Sequence, residues 1–148
     1  MPPKPFTLDS VLKYRKRQES MAQEKFIQAK ADAEMAFQAL EEAKNVLGNL
    51  INTLEEKQIS GILAMELARF EERIQYARDQ IDVLKVSYQK KKKIVKDKRL
   101  LLLEKSRNYK VLDTLKEQQN RTWKNYLDKK EAAMLDEIAI LRHDRKTS

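Results

Sequence analysis

The residues best equipped for acid, base or metal chemistry in this sequence are one histidine, His143, and four adjacent acidic pairs, Glu41-Glu42, Glu55-Glu56, Glu71-Glu72 and Asp136-Glu137. A histidine can shuttle protons or ligate a metal, and two carboxylates sharing a site can divide the acid and base roles. Neither arrangement assembles here. His143 lies in a charged tail, with no cysteine and no orienting group to complete a triad. Adjacent residues diverge by about 100° around a helix, so each acidic pair turns its carboxylates apart instead of onto one substrate. The chain has no cysteine, which removes thiolate metal sites and disulfides, and no glycine-rich loop to cradle a phosphate. The expectation is a protein that is not an enzyme and carries no cofactor, with His143 and the acidic pairs on solvated helix faces.

A second chemistry is plain electrostatics. Lys90, Lys91, Lys92, Lys93, Lys96, Lys98 and Arg99 place seven cations in ten residues. Such a run suits a solvated face, an acidic protein surface, or a nucleic acid or anionic membrane. Aromatic residues scarcely interleave it, which disfavours base stacking. Residues 1–58 hold 9 basic and 9 acidic side chains, so the formal charge of +8 belongs to residues 59–148.

The elements that must carry these residues are helical. All three prolines, Pro2, Pro3 and Pro5, precede residue 6, and the two glycines are Gly48 and Gly61, so little after residue 5 opposes helix. Proline geometry keeps the first residues extended, and Thr7 or Asp9 can cap a helix that starts near Leu8. From residue 22 the small and apolar side chains recur at steps of four and three: Ala22, Phe26, Ala29, Ala33, Ala36, Leu40, Ala43, Leu47, Leu50, Leu54. That period of 3.5 predicts a coiled-coil seam, and its five alanines permit close approach of a partner helix. The pattern stops near Lys57, and Gly61 is well placed for a helix C-cap and reversal. It restarts at Leu67, Phe70, Ile74, Ala77, Ile81, Leu84 and Tyr88. A short connection favours an antiparallel pair within one chain.

The expected fold class is therefore all-α: one domain, 1–148, with helix one over about 8–58, a turn over about 59–62 and helix two over about 63–143. Charged residues at 36% and aromatics at 7% fit an elongated two-stranded assembly with wet outer faces. After Tyr88 two registers compete. One continues through Lys91, Val95, Lys98, Leu102, Lys105, Tyr109 and Leu112; the other uses Ile94 and the run Leu100 to Leu103. Helix two outlasts helix one by about 30 residues, roughly 45 Å at 1.5 Å per residue. Its extra length carries Trp123, Tyr126, Leu127, Met134, Ile138 and Leu141, an apolar stripe in want of an external partner. No stretch approaches the ~20 apolar residues of a membrane span, and the first thirty residues lack a signal-peptide core. A cytosolic protein is expected, and Asn120-Arg121-Thr122 is then a chance glycosylation triplet.

This layout resembles the FliJ family of flagellar protein export and the similar stalk proteins of type III secretion. The resemblance rests on the opening from Phe6 to Arg15, the unequal helices, the segment from Phe70 to Ile81, and the ending from Glu131 to Leu141 with its Asp136-Glu137-Ile138-Ala139. It implies a cytoplasmic stalk similar to the coiled-coil part of the rotary ATPase gamma subunit, peripheral to the inner membrane at the flagellar base. Such a stalk sits in the hexameric export ATPase, promotes ring assembly and links it to the cytoplasmic domain of the membrane export gate, with export chaperones as further partners. It also implies ATPase contacts among Leu8, Val11, Leu12, Trp123, Leu127, Met134 and Ile138, and gate contacts at Phe70, Ile74, Ala77 and, less securely, Ile81. The gate set competes with the heptad reading, in which the same side chains are core. Two other classes stand beside this one: a general export chaperone acting through the long end of helix two, and a nucleic-acid-binding coiled coil using Lys90 to Arg99. A gamma subunit of an energy-producing ATPase is disfavoured, because the separate α/β domain expected between its helices has no room here.

Overall fold

The computed structural model describes residues 8–147, with side chains described for 8–146. The extended reading of Pro2, Pro3 and Pro5 and the cap reading of Thr7 fall outside these residues. Two helices account for nearly all of the described chain: α1, Asp9–Ser60, of 52 residues, and α2, Ala64–Thr147, of 84 residues. They pack against each other, and the described residues contain no strand.

Local chemistry explains where α1 stops. Gly61 has φ 102°, a left-handed conformation that side-chain-bearing residues resist, so the helix ends where glycine permits it. The Ser60 hydroxyl donates to the Glu56 carbonyl at 3.1 Å, occupying one carbonyl of the last turn. The new helix begins at once, with Leu67 N–H donating to the Leu63 carbonyl at 3.0 Å. Gly48 differs: it is helical, and a methyl group there would meet nothing within 4 Å. Gly48→Ala is therefore expected to stabilise the chain by about 0.5–1 kcal/mol, and Gly61→Ala to destabilise it by about 1 kcal/mol. Urea unfolding of the two variants should show these opposite signs.

The chain divides into two compact units, one of residues 21–102 and one that joins residues 1–20 with 103–148. In the unit of 21–102, α1 buries Ala22, Ala29, Ala33 and Leu40, and α2 buries Phe70, Ile74, Ala77 and Ile81. Phe37 packs on Tyr88 with ring centroids 5.5 Å apart, and the Lys57 ammonium sits 5.1 Å from the Phe70 ring centroid. Later residues of α1 thus meet earlier residues of α2, which makes the pair antiparallel. Past Tyr88 the structure decides between the two registers. Lys91, Val95, Lys98 and Leu102 are half-buried while Ile94 and Leu100 are exposed, so the first register continues. Half-burial is what a lysine shows when its stem lies along a seam and its ammonium group reaches water.

In the second unit, Leu12 and Leu112 bury each other and Tyr109 packs on them. The Arg15 guanidinium donates to the Asn108 carbonyl at 2.9 Å, and Lys116 pairs with Asp9 at 3.4 Å, again in antiparallel order. Beyond Tyr126 every described side chain, from Leu127 to Lys146, is exposed. Among the described residues no side chain of either unit is completely enclosed, and none that is buried is polar or charged. In each unit the core is a seam a single layer deep.

Candidate functional site

Leu112 and Lys116 contact Leu12 and Asp9; past the polar segment 116–122 a new apolar stripe runs through Trp123, Leu127, Met134, Ile138 and Leu141. Trp123 and Tyr126 are half-buried and stack on each other at 5.7 Å with 29° between ring planes, a self-contained aromatic pair where sequence suggested uncovered rings. Leu127, Met134, Ile138 and Leu141 are exposed, and so are Leu135 and Ile140. The last two lie off the stripe, which is why periodicity passed over them.

At the start of α1, Leu8 and Val11 are exposed, whereas Leu12 is buried against Leu112. Leu12, one of the expected ATPase contacts, therefore also packs between the two helices. One turn on, Lys16 pairs with Glu19 at 2.8 Å. Lys16, through this hydrogen bond, holds the Glu19 carboxyl below the usual carboxylate range, and the Ser106 hydroxyl of α2 assists. The same bond raises Lys16. Because the folded pKa of Glu19 is depressed, its contribution to stability is present above the unfolded value, ~4.3, and is lost as pH falls through the lower folded value. Thermal melts of the native chain and Glu19→Gln should therefore differ slightly at pH 7 and converge only once pH has fallen below the depressed folded value of Glu19.

The second candidate set, Phe70, Ile74, Ala77 and Ile81, is buried in the seam. Their burial fits the heptad reading of a coiled-coil core. A partner at this level would meet the rim of the groove above them, formed by Arg73, Tyr76 and Gln80 of α2 and Ala39, Glu42 and Val46 of α1. Tyr76 and Val46 are exposed there. The turn also exposes Ile59, Leu63 and Met65, single apolar residues that belong to no periodic stripe and so gave no signal in the sequence.

The basic stretch divides by face. Lys91 and Lys98 are half-buried in the seam, while Lys90, Lys92, Lys93, Lys96 and Arg99 are exposed. Among the described residues no group of His, Asp and Glu could hold a metal ion, and no helix is long and apolar enough to cross a membrane.

Two long helices closed by a thin seam, with apolar and basic surfaces left open, define a helical protein whose available sites are binding surfaces. A family model described as flagellar FliJ protein matches residues 4–148, and the chain belongs to that family. The family is a structural component of flagellar protein export, which gives the chain a role in the flagellar export apparatus. No curated protein and no solved structure matches the chain.

Proposed function

We propose that the chain is the central stalk of the flagellar type III export ATPase complex, promoting assembly of the hexameric ring and coupling it to the membrane export gate. The observation that carries this reading is the exposed apolar stripe of Leu127, Met134, Ile138 and Leu141, which lies on α2 beyond its described pairing with α1. An apolar stripe on a helix with nothing packed over it is a docking surface in waiting, and covering each half-exposed aliphatic side chain contributes about 1 kcal/mol. Leu8 and Val11, exposed at the start of α1, are the matching candidates there, with Leu12 and Leu112 packed between the helices. Two unequal antiparallel helices are also the layout of the coiled-coil part of the rotary ATPase gamma subunit. One asymmetric stalk inside a sixfold ring makes non-equivalent contacts, and these bias which subunits close around nucleotide. The gate's cytoplasmic domain would then be met at the Arg73–Tyr76–Gln80 rim, over the buried Phe70, Ile74, Ala77 and Ile81. This places the chain in the cytoplasm at the flagellar base, peripheral to the membrane, where export chaperones would be further partners.

Adding the chain to the purified export ATPase tests the reading. Hexamer fraction and ATP turnover should both rise with the amount added. Binding of unfolded export substrates with no effect on the ATPase would instead support a chaperone.

A further inference from the structure

The basic stretch takes no part in either contact above, yet part of it is built into a groove. In the unit of residues 21–102, a cleft of about 370 Å³ between α1 and α2 has Ala33, Tyr88 and Val95 in its lining, with Lys30, Lys92, Lys96 and Arg99 around them. Glu34 adds one carboxylate to the lining. Lys92, Lys96 and Arg99 follow one another at steps of four and three, so their heads leave one flank of α2 about 6 and 10.5 Å apart along the axis. Lys30 faces them from α1. Among the described residues no ion pair involves any of these four cations. Lys90 and Lys93 do not line it, and Lys90 borders a separate cleft of about 630 Å³ with Val83, Val86 and Ile94.

We propose that this groove receives an acidic amphipathic helix of a protein partner. Carboxylates at positions i, i+4 and i+7 of such a helix match the spacing of Lys92, Lys96 and Arg99, while its apolar stripe lies on Val95 and on the part of the half-buried Tyr88 that stays accessible. The groove's chemistry selects this occupant over other anions. Stacking nucleobases need an open aromatic face, but Tyr88 is engaged by Phe37 at 5.5 Å and by the Lys92 ammonium at 4.9 Å. A bilayer surface is broad and flat, so it would touch a cleft only at its edges and leave the apolar floor uncovered. A helix fills the floor and satisfies the rim together.

The test uses the full chain and a fluorescent designed peptide of about 20 residues, with leucines at heptad spacing flanked by glutamates. Lys92→Glu/Lys96→Glu is expected to weaken binding by about tenfold or more, Lys92→Gln/Lys96→Gln by less, and Lys90→Glu/Lys93→Glu by no more than about twofold. All these side chains are exposed, so far-UV circular dichroism should be unchanged. A peptide of the same composition in scrambled order should bind about tenfold more weakly. Equal loss in the two charge-reversal variants, equal binding of the scrambled peptide, or stronger binding of single-stranded DNA or phosphatidylglycerol vesicles overturns the proposal.

Discussion

The double variant Leu127→Asp/Ile138→Asp is expected to retain its helix content and lose nearly all stimulation of the export ATPase. Both native side chains are exposed, and exposed substitutions outside special sites change stability by about 0.5 kcal/mol or less. Burial in a partner is where the carboxylates become costly, because a desolvated charge without a partner is penalised by several kcal/mol. A loss of ~4 kcal/mol in association corresponds to about a thousandfold in affinity, enough to empty the ring at micromolar protein. The control is Leu135→Asp/Ile140→Asp, equally exposed and off the stripe, which should leave most stimulation intact. Full stimulation by Leu127→Asp/Ile138→Asp would sink the stalk reading. Equal loss in the control would shift the contact from one face to the whole end of the helix.

The second large effect belongs to the seam. Ile74→Ala is expected to destabilise the chain by about 2–3 kcal/mol, the lower part of the range for removing a buried aliphatic, because a single-layer core can collapse around the gap. Tyr76→Ala, two residues away and exposed, should change stability by no more than about 0.5 kcal/mol while weakening any contact with the gate's cytoplasmic domain. Chemical unfolding and a binding titration on the same preparations separate the cases. If Ile74→Ala left the unfolding midpoint untouched and removed gate binding, Ile74 would be a docking residue and its place in the seam would have to be abandoned. The pairing matters because the same substitutions, scored only by motility or secretion, would report both effects as loss of function.

Much of the fold could be read from the residues because its organising signal is simple. The run from Ala22 to Leu54 repeats with a period that only a helix-on-helix seam explains, and the return stripe from Leu67 to Tyr88 has the same period after a glycine. The register after Tyr88 was not legible. Lys91 and Lys98 occupy seam positions, and a polarity pattern cannot show that a lysine stem is covered while its head is wet. The four consecutive leucines, 100 to 103, supply apolar residues on every side and so mark no face. At the candidate site the long end of α2 announced itself through its unpaired stripe. Leu12 and the Phe70 set were harder, since a heptad residue that packs within the chain and one that packs on another protein have the same side chain at the same spacing. Only the position of the facing helix distinguishes them.

Within residues 21–102 the seam is not equally tight along its length. Around Phe70, Ile74, Ala77 and Ile81 its α2 positions are buried apolar residues, whereas further on two of them are the half-buried Lys91 and Lys98, whose cations share one face of α2. Burial of their stems depends on how strongly neighbouring ammonium groups repel, and salt or a carboxylate-bearing neighbour reduces that repulsion. The same helix pair is therefore a fixed strut over one stretch and an adjustable clasp over the next, tightened by whatever anion comes to rest beside it.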